Sequence, residues 1–477
     1  MRLLWALPVL ALAYGVWFFA HDEAETLTSV DDHVKWGSIG AERSAGIPYS
    51  VFQVLPKIFP EYLRGDGYAS LGFLYDSNSD LPVGFSRRQV AGVSQVGMNC
   101  GVCHVGAVRE REGSAARVIA GMPANTVDLG GFQEFLVRCA EDERFTAAYI
   151  LDGIDDFDVP ISLVERAALY MNGVGSLREQ LLALRGRFEY ASKIPPAGPG
   201  RIDSVNGMKV LVDMPTLGVP MARAIGTVDY PSIWNQRKRA NMRGYWDGNN
   251  DSVEERHLQG ALSTGATVDT TDMWNVQRIQ EWLWEKEPPA YPFEIDTELA
   301  QRGQPIYERY CEDCHGKSGS DFSGARVGTV IPLAELRTDP HRVRAYTADL
   351  AEQQNTLGVG ESKFTHFEKA GDEGYAAAPL DGIWLRAPYL HNGSVPSLRD
   401  LFEPASRRPR NFYRGSDLYD RERVGFVYRQ PRVQGRRLFL YQTSEPGNSN
   451  RGHEGREYGT LLSPELKDAL VEYLKTF

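Results

Sequence analysis

Two five-residue runs carry the residues best suited to chemistry: Cys100-Gly101-Val102-Cys103-His104 and Cys311-Glu312-Asp313-Cys314-His315. Four of the chain's five cysteines sit in them, so thiols are concentrated where a histidine follows at once. The C-x-x-C-H spacing suits covalent attachment of a c-type haem. Two thiols add across the two vinyl groups on one porphyrin edge, and the adjacent histidine lies beneath the iron as its proximal ligand. Three other readings compete. A thioredoxin-type dithiol needs a βαβ context that neither flank shows. A single zinc held by all four cysteines needs pairs closer in sequence than Cys103 and Cys311. Two strained vicinal disulfides would need a coincidental histidine twice. The repeated histidine favours two covalently bound haem c groups, with His104 and His315 as axial ligands.

The sixth ligand decides what each iron does, because a haem with two protein ligands shuttles electrons while an open one takes up dioxygen or peroxide. The last methionine is Met273, so no methionine follows Cys311. Of the four downstream histidines, His341 (TDPHRVRAY) and His366 (KFTHFEK) stand in polar surroundings, whereas His391 and His453 lie in turn-rich loops beside apolar segments. The weight therefore falls on His391 and His453. For the first iron, Met98 is too close to the motif, and neither Met122 nor His257 stands out, so an open or water-bound position is preferred. Trp234, Tyr245, Trp246 and Trp274 are able to line a haem cavity or relay electrons. Trp234 and Trp246 are the candidate catalytic residues around the first haem, against the blander reading of core packing.

The elements that must hold these groups are mostly helical. DTELAQRGQPIYERY (296–310) leads into the second motif with Asp296 or Thr297 as N-cap and apolar residues at helical spacing. SPELKDALVEYLKTF (463–477) starts with a Ser463 cap and Pro464. A helix entering the motif and a terminal helix closing over it, meeting near Gly303, is the cytochrome c architecture. Pro305 is a misfit inside the first helix, where a kink is expected. The fold expected is mainly α: two cytochrome c-like domains with long loops and a largely helical middle segment. The boundaries read as a signal or anchor at 1–20, a loop-rich extension at 21–85, a first cytochrome c-like domain with a helical and loop insertion at 86–290, and a second at 291–477. Cys139, in step with Phe132 and Phe135 on one helical face, reads as a core residue.

A net charge of −11 over 477 residues argues against nucleic acid and against an anionic membrane surface. Arg2, then the apolar run 3–20, then His21-Asp22-Glu23 give the charge order of an export segment. An uncleaved inner-membrane anchor and a cleaved signal peptide both follow from it, with the anchor slightly preferred. Either one makes the protein periplasmic or otherwise extracytoplasmic, touching the membrane only through residues 3–20.

The segments LPKIFPEYL, GYASLGF, PVGFS, GPGRIDS, WDGNN and LDGIWLRAPYLHNGSVPSL, with the two CxxCH runs and a late GH, cover most of residues 47–477. Together they resemble the bacterial dihaem cytochrome c peroxidase and MauG superfamily, closest to the branch of the rubber oxygenases. The resemblance implies haems facing each other, one open and reactive, one bis-histidine and electron-storing. It favours His453 as the second iron's ligand and leaves His391 as a pocket or propionate partner. Asn392 departs from the aspartate of the family's HDG, and GHEGREYG is longer than its counterpart. The function expected is a peroxidase- or oxygenase-like haem oxidoreductase, with peroxide or dioxygen as oxidant and a redox protein or quinone pool as electron partner. The alternatives are a pure electron-transfer dihaem cytochrome and a non-haem metal-binding exported protein.

Overall fold

Helices in this chain tend to begin where a short polar side chain can accept from a backbone N–H of the first turn, which otherwise has no partner. A computed structural model describes residues 22–212, 224–371 and 373–477; the N-terminal signal or anchor run lies outside them. Ser29 caps α1 (Val30–Trp36) and Asp128 caps α2 (Leu129–Glu141). Helix α3 (Val174–Arg187) instead continues from a π-turn at Leu169–Gly173. Ser252 caps α4 (Val253–Ser263) and Asp272 caps α5 (Met273–Glu285). Asp296 caps α6 (Thr297–Tyr310), which runs through Pro305 as one helix. Ser397 caps the single turn α7 (Leu398–Leu401), and Ser463, with Pro464 behind it, caps α8 (Pro464–Leu474).

Helix makes up 40% of the structure and strand 15%, so the chain is less purely helical than expected. The described strands form one four-stranded sheet and seven two-stranded ladders. Apart from two six-residue strands, runs of two to four residues offer too few alternations for a period-2 pattern to be read from sequence. The larger sheet joins β1 (Asp22–Ala24), β2 (Ile47–Pro48), β3 (Phe85–Val90) and β4 (Val93–Met98) in the spatial order β1-β3-β4-β2, all antiparallel. Val90 pairs with Val93 across Ala91 and Gly92, both at positive φ, the geometry of a two-residue type I′ hairpin. This hairpin delivers the chain directly into the first CxxCH run. The ladder of β5 (Val105–Val108) and β6 (Arg117–Ala120) follows it.

Two apolar cores flank the motifs. The first gathers Phe52, Tyr68, Phe73, Phe85 and Phe132, whose rings meet at 4.6 to 6.5 Å, largely tilted or edge-on. Cys100 and Cys103 pack against it. The second holds Tyr307, Trp384, Leu470 and Phe477, with Cys311 at its margin. Each such side chain contributes roughly 1.5–3 kcal/mol when fully buried. The cores interlock along the sequence: Tyr346 to Phe367 pack into the first, and Val108, Met122 and Trp234 into the second. Helices α6 and α8 cross at Gly303, where an added Cβ would fall on the main chain of Ala469.

Candidate haem sites in one cavity

Each motif closes a short helical turn whose histidine is held through its ring nitrogen. In the first, Asn99 prepares the turn: its Oδ1 accepts from Gly101 N at 2.8 Å while its amide donates to Gly37 O at 3.0 Å. His104 Nδ1 lies 2.9 Å from the carbonyl oxygen of Pro231. In the second, α6 ends at Cys311, the turn Glu312–His315 follows, and Gly316 at φ +88° turns the chain away. His315 Nδ1 lies 2.7 Å from Ala378 O. A carbonyl only accepts, so both rings carry their proton on Nδ1 and present a bare Nε2. That is the tautomer and orientation a metal-ligating histidine takes from its outer-shell partner.

Both motifs open into one cavity of about 1690 Å³, lined by Cys100, Cys103, His104, Cys311, Cys314 and His315. It exceeds the roughly 300–1,000 Å³ of a single small-ligand pocket. Beyond the motifs its wall includes His257 on α4, Tyr245, Trp246, His391 and His453.

His453 stands over the second motif. Its ring centroid is 6.2 Å from that of His315, the planes inclined at 46°. Two metal–imidazole bonds of about 2 Å each, made by inward-facing nitrogens, set two ring centroids about 6 Å apart. Its Nδ1 is buried without a partner. His391, the other candidate, stacks on Tyr375 with centroids 3.9 Å apart and planes 18° from parallel.

Burial, aided at most of them by neighbouring cationic groups, holds the cavity histidines uncharged. It lowers His104 to about 4 and His391 to about 3. His453 is brought to about 3 by burial, then by His315; His257 reaches about 3 through burial, Arg256 and His104. Neutral imidazoles keep the lone pair that a metal needs.

The wall also suits an anionic cofactor. The chain is acidic overall, yet Arg239, Arg243, Arg256, Arg342 and Arg386 line the cavity. Nη1 of Arg243, Nε and Nη1 of Arg342 and Nε of Arg386 are buried with no hydrogen-bond partner. Buried donors in such number call for acceptors, and porphyrin carboxylates are acceptors of the right charge. Thiol pairs, oriented imidazoles and free guanidinium N–H groups together fit haem c. All five cysteines are free thiols, and among the described residues no three His, Cys, Asp or Glu side chains gather to hold a single ion.

Several expected residues lie elsewhere. Trp234, fully buried, does not line the cavity; its Nε1 donates to Ala120 O at 3.1 Å, and its ring fills a slot left by Gly121 and Gly382. Trp246 does reach the wall, with Nε1 donating to Asp229 O at 2.8 Å. Trp274 is 67% exposed. Met122 is buried in the second core and Cys139 in the first. His341 and His366 pair with Asp339 and Asp251 at 2.8 and 2.7 Å. Sequence reasoning did not find Pro231 and Ala378, whose roles are played by main-chain oxygens.

Residues 374–414 match the family described as RoxA-like, cytochrome c-like. The match supports a relationship to RoxA-like cytochromes c over this stretch, and a cytochrome c-like domain implies haem c binding. The matched stretch supplies Ala378, Arg386 and His391 to the cavity. Within it, Asn392 is buried and donates to both Gly447 O and Ser449 O at 3.0 Å. An ionised aspartate has no donor for either carbonyl, which accounts for the amide in this loop. Two proteins of Sinorhizobium fredii (strain NBRC 101917 / NGR234) are also similar. The uncharacterized protein y4iM is 32% identical over 52% of this chain and 64% of its own length. The uncharacterized protein y4iJ is 27% identical over 87% of this chain and 85% of its own. The chain thus spans a little under two thirds of the first of these.

Proposed function

We propose that the protein is an exported dihaem c-type cytochrome with oxidoreductase activity, in which the His104 site is reactive and the His315 site stores and transfers electrons. The observation that carries this reading is the 6.2 Å pairing of His315 with His453 in a cavity shared with the first motif. When bound, haem c supplies a one-electron couple and, where its iron keeps an open face, a position for peroxide or dioxygen. The residues do the rest. His104 and His315 hold bare Nε2 atoms toward the cavity, His453 closes the second site, and the arginines hold carboxylates. Peroxide or dioxygen is the small oxidant, and a redox protein or the quinone pool is the electron partner. Export by residues 3–20, retained as an inner-membrane anchor or cleaved, gives a periplasmic location.

A second reading, an electron carrier with both irons six-coordinate, is favoured by one observation. His257 lines the cavity, its Nδ1 is buried without a partner, and its protonation is disfavoured by burial, then by Arg256 and by His104 nearby. A spin-state count of the ferric holoprotein by electron paramagnetic resonance separates the two. One high-spin and one low-spin iron, the high-spin one shifting with added peroxide, is expected. Two low-spin irons, one of which becomes high-spin in His257→Ala, would replace the first reading with the second.

A further inference from the structure

We propose that Arg408 is the positioning residue that holds His453 over His315, by tying all five guanidinium N–H groups to the main chain of the two loops that frame it. The proposal rests on His453 being the second iron's ligand.

The arginine is 2% exposed. Its Nε donates to Glu403 O at 2.9 Å, and one Nη2 bond goes to Leu401 O at 3.0 Å. These anchor it to the end of α7. Nη1 reaches Asn450 O at 2.6 Å and Gly452 O at 2.9 Å, and Nη2 reaches His453 O at 3.1 Å. A guanidinium has five N–H donors, and each of these five meets a carbonyl.

The loop needs such a hold. His453 itself sits at φ +48° and Gly452 at φ +83°. A left-handed non-glycine residue persists only where its surroundings over-determine it. From the opposite side, His453 N donates to Leu336 O at 2.9 Å, and a Cβ on Gly452 would collide with the main chain of Thr338. The ring packs on Tyr458 with centroids 4.6 Å apart, but its Nδ1 has no hydrogen-bond partner to fix its direction. Whereas His104 and His315 are aimed through a ring nitrogen, His453 is aimed through its backbone. A buried charge spent wholly on carbonyl groups fixes a conformation better than it adds stability.

The test is displacement of the sixth ligand by cyanide in the ferric holoprotein, followed in the low-spin signal of the second iron. Arg408→Lys keeps the charge but replaces a rigid fork with one rotating ammonium. Loss of an outer-shell partner weakens metal ligation about 10- to 100-fold, so cyanide should half-displace His453 at a concentration about tenfold lower or less, read as replacement of the bis-imidazole low-spin g values by those of the cyanide adduct, which is itself low-spin. Gly452→Ala, which disturbs the same loop from the other side, should shift the titration in the same direction. Both are read on protein that retains native far-ultraviolet helicity and bound haem. Titrations identical to the wild type in both variants would overturn the role of Arg408, provided His453→Ala gives a high-spin second iron. If His453→Ala leaves the spectrum unchanged, the ligand assignment itself fails.

Discussion

The two CxxCH sites share a motif and a carbonyl-tethered histidine, yet they are built on different surroundings. The first sits at the end of a β-hairpin, against a core of clustered phenylalanine rings, with His257 as the further histidine in its wall. The second sits at the end of a long helix, beneath a loop that carries His453 into ring-to-ring range. On the proposed reading, the comparison teaches that attachment and the iron's other ligand are specified separately. Five consecutive residues specify attachment. What the iron meets on its other side comes from segments remote in sequence.

The sharpest way to break the comparison is to remove the thiols. Cys100→Ser/Cys103→Ser and Cys311→Ser/Cys314→Ser should each delete one porphyrin from the intact mass and about halve the haem absorbance that survives denaturation. Loss of both groups from either variant would mean the sites do not fill independently.

Asp381 tests whether the wall of the second site can be loosened alone. Burial pushes its carboxyl up, but Arg239 and Arg386, with the Asn235 amide at 2.8 Å, more than offset this and hold it below the usual range. Asp381→Asn leaves two buried guanidinium groups short of a counter-charge and should cost about 3–5 kcal/mol in chemical denaturation. The sign in pH follows. A carboxyl depressed on folding contributes stability that is present above its unfolded pKa of about 3.9 and lost as pH falls below it. That acid-side loss should shrink in the variant.

Gly303→Ala sharpens the contrast in packing. With a Cβ directed at the Ala469 main chain, α6 and α8 must separate, at about 1–3 kcal/mol. The second site's spectrum should respond and the first should not. The smallest effect belongs to Trp234→Phe. It leaves Ala120 O without its buried donor, for about 1–2 kcal/mol by thermal or urea melts. Because the ring is outside the cavity, both haem spectra should be unchanged; a shift in either would return Trp234 to the candidate catalytic residues.

The motifs, the caps at Asp296 and Ser463 and the close approach at Gly303 were legible because each is a local rule with a residue signature. The tethers at Pro231 and Ala378 were not, since any residue has a carbonyl and only the fold decides which one faces an imidazole. Trp234 was misplaced for a related reason: aromatic content indicates burial but not direction, and two distant glycines determine where that ring points. His453 was singled out by resemblance rather than by spacing. Its role depends on backbone conformation and on Arg408, and neither leaves a pattern in the chain. The β-content was underestimated because every ladder but the six-pair β3–β4 has only two to four pairs, too few for alternation to be seen.

The remoteness of His453 from Cys314 has a consequence for biogenesis. The second thiol pair precedes the loop around Gly452 and the closing helix α8 in the chain, so on the proposed reading haem attachment can precede its capture by His453. Maturation then has a natural half-way species, pigmented but ligand-accessible, which completion of the tail converts to the closed form. The full-length His453→Ala chain, which keeps α8 and the second core, should mimic that species and bind carbon monoxide at the second site.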